Sequence, residues 1–274
     1  MKKDLILDNK KLLDIVNKSG FPLQLAIDNE ISGRKNFDWQ VALREHAWNN
    51  STNGESGFID LVISNKANTQ IFVMECKRVL ESNWIFIVPK KNKPRRHIRC
   101  WVTDYTYGGV NRFGWADVRG EPCCIESDFC VLLGQNEKAR PMIERVASYL
   151  VSSTEALARE ERLIFGDKGD CNFKTYFNII ITTADLKVCY INPDEISLND
   201  GMVQDANFES VPYVRYRKQL TTVHDITSEH RKDGYYALSK AKESTVFVVN
   251  ANHLIDFLSN FILDSSCFNP FAKP

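Results

Sequence analysis

The sequence has no apolar run near the roughly 18 residues needed to span a bilayer. Its best candidates, 177–183 and 254–263, are too short or carry Asp256 and Asn260. Asp4, Asp8, Lys10 and Lys11 break up the first apolar stretch, so no signal-peptide core is expected. The expectation is a cytoplasmic chain with no membrane partner. The eight cysteines include no CxxC pair, and Cys123 and Cys124 are adjacent. That pattern suits neither a zinc knuckle nor a disulfide framework, and it points to reduced thiols used as small core residues. Internal repeats and low-complexity tracts are absent. So are GxSxG, GxxxxGK[ST], HExxH and GxGxxG, which removes support for hydrolase-elbow, P-loop, zincin and Rossmann readings. Net charge is lacking too: 35 Lys plus Arg balance 35 Asp plus Glu over 274 residues. Any polyanionic partner must therefore be argued from local clusters.

The apolar periodicity predicts a short amphipathic helix over 9–19, closed by Gly20, and a second over 21–32 opened by Pro22. Strand-like segments follow at 38–48, 57–64, 70–79 and 84–88. Asn, Ser and Gly in the connections near 49–56 and 65–69 favour antiparallel hairpins. The region 100–135 reads as strand-like and loop-rich. A long helix is expected over 138–160, strands at 175–183, 186–191, 211–220 and 245–250, and a closing helix at 251–263. This succession implies a mixed α/β sheet with helices on its faces.

The local pattern richest in chemistry is Asp60 followed by Glu75-Cys76-Lys77. Glu75 and Lys77 are two apart on a strand and share a face, while Phe72, Met74 and Cys76 take the other. A turn at 65–69 can bring Asp60 beside Glu75. Two carboxylates on apolar strands repel, and a divalent cation resolves the conflict. Hard oxygen ligands suit Mg²⁺ or Mn²⁺, with Asp60, Glu75 and the backbone carbonyl of Cys76 as donors. Lys77 would then orient or activate water and stabilise developing charge. The bland alternative is a salt bridge from Lys77 to Asp60 or Glu75 on a solvated face.

These residues resemble the PD-(D/E)XK nuclease superfamily. The matching segments are Gly57-Phe58-Ile59-Asp60 and Phe72-Val73-Met74-Glu75-Cys76-Lys77, with support from Gly20-Phe21-Pro22-Leu23-Gln24 and Trp84-Ile85-Phe86. The likeness covers residues 20–90 and is architectural beyond them. It implies one restriction-endonuclease-like domain over 1–274: a central mixed sheet flanked by helices, its core about 20–190 and its additions 191–274. It also implies a metal-dependent endonuclease cutting DNA, with RNA an open alternative, and a role in restriction or mobile-element defence. A homodimer is a further expectation. The first helix of such nucleases often supplies a metal-supporting Glu, and Gln24 stands there instead. One metal then suffices, or another acid such as Glu45 or Glu55 substitutes, or the site is weakened. In the last case the chain is a non-cutting module that binds nucleic acid or a protein partner.

Candidate phosphate contacts follow the Lys77 strand. Lys90, Lys91, Lys93, Arg95, Arg96 and Arg99 are expected in an exposed loop suggested by Pro89 and Pro94, with His97 beside them. Trp101, Tyr105 and Tyr107 follow as potential base-stacking groups. Arg215 and Arg217 share a strand face and suit ion pairs or phosphate. His224 and His230 read as surface histidines. An acidic stretch, 185–209, offsets the basic run in the total charge.

Overall fold

The computed structural model describes residues 8–80, 82–106, 109–132, 140–165, 172–220, 235, 239–240 and 242–264. Two helices come first, α1 (Asn9–Lys18) and α2 (Phe21–Ser32). Asp8 caps α1 by accepting the Lys11 N–H at 2.9 Å. Its apolar stripe of Leu12, Leu13, Ile15 and Val16 stays exposed, and no residue of α1 is buried. The two helices are separated by Gly20 at φ 65°, a left-handed turn that glycine enters without a Cβ penalty. Ile27 and Ile31 of α2 are buried.

Three long strands form an antiparallel meander: β1 (Trp39–Asn50), β2 (Glu55–Asn65) and β3 (Gln70–Lys77). Then come β4 (Asn83–Pro89), β5 (Arg95–Thr106), β6 (Gly109–Cys124), β7 (Glu126–Ser127) and β8 (Phe129–Leu132). The long helix is α3 (Met142–Phe165). It is followed by β9 (Asn172–Thr182), β10 (Asp185–Ile191), β11 (Asn207–Ser210), β12 (Tyr213–Gln219) and β13 (Glu243–Asn250). A short helix, α4 (Leu254–Ser259), and β14 (Ile262–Leu263) close the described chain.

The central sheet runs β1-β2-β3-β9-β13-β12-β7. β9 lies parallel to both β3 and β13, so the sheet is mixed and the α/β expectation holds. Strands buried on both faces carry near-continuous apolar runs, as in Phe177 and 179–181 of β9 and 246–249 of β13. A second sheet of four strands runs β11-β10-β4-β8. One apolar core joins the α3 side of the central sheet to Trp84, Phe86 and Val88 of this second sheet. The other core packs Ile27, Ile31, Phe257 and Phe261 against Phe72, Phe177 and Phe247.

Several sequence readings need correction. The closing helix is shorter: a single 3₁₀ turn at Ala251–His253 leads into α4, and the chain then pairs with β6 as β14. Residues 95–99 are not a loop. They open β5, which pairs with β6 in a long antiparallel ribbon. Trp101 is not an exposed stacking group but a core residue, 5% exposed, edge-on to Trp115. Cys76, Cys100, Cys124, Cys130 and Cys189 are free and buried, whereas Cys123 is free and exposed. Tyr107, Cys171, His224, His230 and Cys267 lie outside the described residues.

One close approach locks the β1–β2 hairpin onto α3. The Tyr149 ring packs 4.8 Å from Trp48, and its hydroxyl accepts the Phe58 N–H at 3.1 Å. A Cβ on Gly57 would come within 1.4 Å of that hydroxyl oxygen. Gly57→Ala must therefore push Tyr149 off Trp48, at an expected cost of about 1–3 kcal/mol typical of overpacking. Urea midpoints of Gly57→Ala, alone and with Tyr149→Phe, check this. The double variant should recover little, because the ring itself is in the way.

Candidate active site

Strand register assembles the site. Arg44 pairs with Leu61 and His46 with Ile59, so Glu45 stands level with Asp60. Leu61 pairs with Met74, so the next pair along is Asp60 with Glu75. Glu75 is level with Ile180 of β9, and Lys77 with Thr182. Glu45, Asp60 and Glu75 thus form a row across three adjacent strands, each step about 4.8 Å. The apolar residues of β3 place these strands: Phe72, Met74 and Cys76 enter the α2-side core, and Ile71 and Val73 the α3-side core.

Each carboxylate of the row is tethered. Glu45 Oε1 accepts from Gln24 Nε2 at 2.6 Å. The same amide donates to the Asp60 carbonyl at 2.9 Å. Asp60 Oδ2 accepts the Cys76 backbone N–H at 2.7 Å. Glu75 Oε1 pairs with Lys77 Nζ at 2.5 Å, and Glu75 is only 9% exposed. α2 can deliver Gln24 because Arg44 Nε of β1 reaches Asp28 Oδ2 at 2.5 Å, which fixes the helix against the strand.

The backbone at Glu45 is strained. Its φ is 46° in the middle of a strand, a left-handed conformation that non-glycine residues seldom adopt. Such strain persists where the surroundings over-determine it, and it clusters at functional sites. The sequence carries a signal for it: Arg44-Glu45-His46 puts three polar residues in a row within an alternating strand.

Electrostatics follow from the geometry. Burial pushes the Asp60 carboxyl up to about 6, helped by the charge of Glu75 and, more weakly, of Glu45. Burial opposes the charge on Lys77, but Glu75, by charge and hydrogen bond, and Asp60 outweigh it. The ammonium is therefore held above its ordinary value. Three carboxylates face one ammonium, so the site carries surplus negative charge.

Glu45 joins this row and Glu55 does not. Glu55 lies at the other end of β2, where its carboxylate meets Ser152 of α3 and takes Asn53 Nδ2 at 2.9 Å. The Cys76 carbonyl stays between Glu75 and Lys77 on the strand. His46, singled out by no motif, places Nε2 2.8 Å from Glu160 Oε2 of α3. Among the described residues, no three His, Cys, Asp or Glu side chains are grouped to hold a metal ion by themselves.

The basic residues are elsewhere. Lys90, Lys91 and Lys93 sit in the exposed turn after β4, and Arg95 and Arg96 are exposed at the start of β5. Arg96 pairs with Glu121 at 2.6 Å, and the half-buried Arg99 with Asp117 at 3.2 Å. The Arg99 N–H bonds Thr245 Oγ1, five residues before Asn250, whose register partner is Thr182. The basic cluster is thus displaced about 17 Å along the strand direction from the level of Lys77. Sequence proximity to Lys77 does not become proximity in space. No helix among the described residues is long and apolar enough to cross a membrane.

No family model, curated protein or solved structure matches the chain.

Proposed function

We propose that this chain is a divalent-cation-dependent phosphodiesterase that cuts nucleic acid, with DNA the expected substrate. The observation that carries the proposal is the row of Glu45, Asp60 and Glu75 with Lys77 at its edge: hard-oxygen donors running from the exposed Glu45 through the half-buried Asp60 to the buried Glu75, with more negative charge than their one cation offsets. The order of elements supports the PD-(D/E)XK resemblance: the helix α2, the antiparallel strands β1–β3 and, after the intervening strands β4–β8, the helix α3 and the strand β9 parallel to β3.

The donor set fits Mg²⁺ or Mn²⁺, which take carboxylate and carbonyl oxygens. Asp60, Glu75 and the Cys76 carbonyl would hold the ion. When bound, it supplies Lewis-acid polarisation of a phosphoryl oxygen and acidifies coordinated water. Gln24 holds Glu45 toward the row. This supports Glu45 as the acid that stands in for the missing helix carboxylate. Lys77 remains an ammonium beside Glu75, so it does not act as a general base in that state. Its role is to orient the attacking water and to stabilise charge developing at the phosphate.

Supercoiled plasmid incubated with the protein and Mg²⁺ or Mn²⁺ tests the reading. Wild type should nick it, EDTA should stop the reaction, and Lys77→Met should slow it by about 10²–10³-fold, as when a transition-state donor is removed. Equal rates for the two proteins, or cutting that ignores EDTA, would overturn the proposal. A panel of single- and double-stranded DNA and RNA separates the substrate classes.

A further inference from the structure

A cavity of about 400 Å³ opens where the far end of β4 meets β7 and β12. It stands apart from the carboxylate row. β4 has seven residues, so its ends are about 20 Å apart, and the cavity lies at the end away from the connection to Lys77. Its floor is a fixed ion-pair network. Arg217, 9% exposed, holds Glu243 at 2.7 Å and Asp117 at 3.1 Å, and Lys240 reaches Glu243 at 3.1 Å. Its rim carries Lys91 and Arg95, both exposed and without an ion pair among the described residues.

Glu126 is the anomaly. Its Oε2 is buried and has no hydrogen-bond partner among the described residues. A buried acceptor left unmatched costs about 1–3 kcal/mol, so each such group calls for an explanation. The residue cannot easily turn away. It pairs in β7 with Arg215, and its carbonyl accepts Asn92 Nδ2 at 2.9 Å. Burial also raises the proton affinity of the carboxyl, against the pull of Arg217 and Arg215. Ile87, Val88 and Pro89 add an apolar wall.

An acceptor awaiting an N–H donor, an apolar wall and two free cations at the rim are complementary to one ligand class. We infer that this cavity binds a nucleotide unit, with its base N–H edge on Glu126 and its phosphate on Lys91 and Arg95. The volume suits a single base and sugar. The unit can be a free nucleotide or one residue of a polynucleotide chain. The chemistry is shared, and the experiment separates the two sources. The site is independent of the proposed phosphodiester chemistry, because none of its residues belongs to the carboxylate row.

Calorimetric titration of the full chain in EDTA tests this without turnover. The probes are GMP, CMP, a short single-stranded oligonucleotide and, as an anion-only control, inorganic phosphate. Nucleotide should bind tighter than phosphate. Glu126→Met should weaken nucleotide by about tenfold, the worth of a hydrogen bond to a charged group, and leave phosphate unchanged. Lys91→Glu with Arg95→Glu, both exposed and safe for folding, should weaken nucleotide and phosphate alike. Equal affinity for GMP and the oligonucleotide assigns the free ligand, and tighter oligonucleotide binding assigns the chain. No nucleotide binding, nucleotide no tighter than phosphate, or affinities unmoved by the rim substitutions would each overturn the site. Loss of cleavage without change in these affinities bears on the carboxylate row alone.

Discussion

Arg215→Met is expected to destabilise the fold by about 3–5 kcal/mol, the range seen when a buried charge network loses one member. Arg215 is fully buried, yet no carboxylate among the described residues forms a salt bridge with it. Its guanidinium is caged by backbone carbonyls instead. Nη1 donates to the carbonyls of Arg95 and, at 3.2 Å, His97. Nη2 donates to Gly120 at 3.3 Å and Pro122 at 2.9 Å. The Phe247 ring lies 5.4 Å from its Cζ and adds a cation–π contact. The planar fork of Arg thus ties the start of β5 and the end of β6 to β12, which no other residue type can do with one side chain. Met fills much of the volume but takes a donor from four carbonyls, two of them buried. Lys offers a point charge that cannot span both strands, so Arg215→Lys should recover less than half of the loss. Urea unfolding of the three proteins measures it. A loss below 1 kcal/mol for Met would mean that water replaces the guanidinium, and that the β5–β6 ribbon is held by other contacts.

This cage is a long-range feature that the sequence pattern does not encode locally. On an alternating strand, Arg215 and Arg217 share one face and suit ion pairs or phosphate alike. Arg217 indeed makes ion pairs, but Arg215 turns both Nη groups to backbone carbonyls, which have no signature in side-chain pattern. The meander and the parallel strand after α3 were legible because their apolar runs are long and their turns rich in Asn, Ser and Gly. The β5–β6 ribbon was not legible: Pro94, the basic run and Gly108-Gly109 look like loop punctuation, and nothing local says that residues 95–106 pair with 109–124. At the candidate site, the neighbourhood of Asp60, Glu75 and Lys77 follows from the two-residue spacing on β3 and the turn at 65–69, while their chemical reading rests also on the family resemblance. Glu45 was named only as one of two substitutes. Its place opposite Asp60 depends on strand register, and register is a long-range property.

Asp60→Asn is expected to abolish metal-dependent cleavage and, in the same protein without metal, to raise stability at high pH. The sign follows from the shift. The folded carboxyl titrates near 6 against an ordinary 3.8, chiefly through burial and then the charge of Glu75. The fold therefore favours the protonated form. That preference is fully expressed below pH 3.8, and it is lost as pH rises through 6, where Asp60 ionises among Glu45 and Glu75. A shift of this size corresponds to about 3 kcal/mol at most, at ~1.4 kcal/mol per unit. Asn never ionises, and its side-chain carbonyl can still accept the Cys76 N–H. Urea midpoints in EDTA should thus show no difference between the proteins at pH 4. A gap of about 2–3 kcal/mol in favour of Asn should open between pH 4 and 7 and then stay level. Mg²⁺ at pH 8 should raise the stability of wild type and leave Asp60→Asn unmoved, because a ligand stabilises only the state that binds it. A gap that ignores pH would overturn the crowded-carboxylate account of Asp60. A gap that follows pH but does not respond to metal would leave the charge crowding standing and remove its proposed purpose, since the row would then carry unneutralised charge with no cation to relieve it.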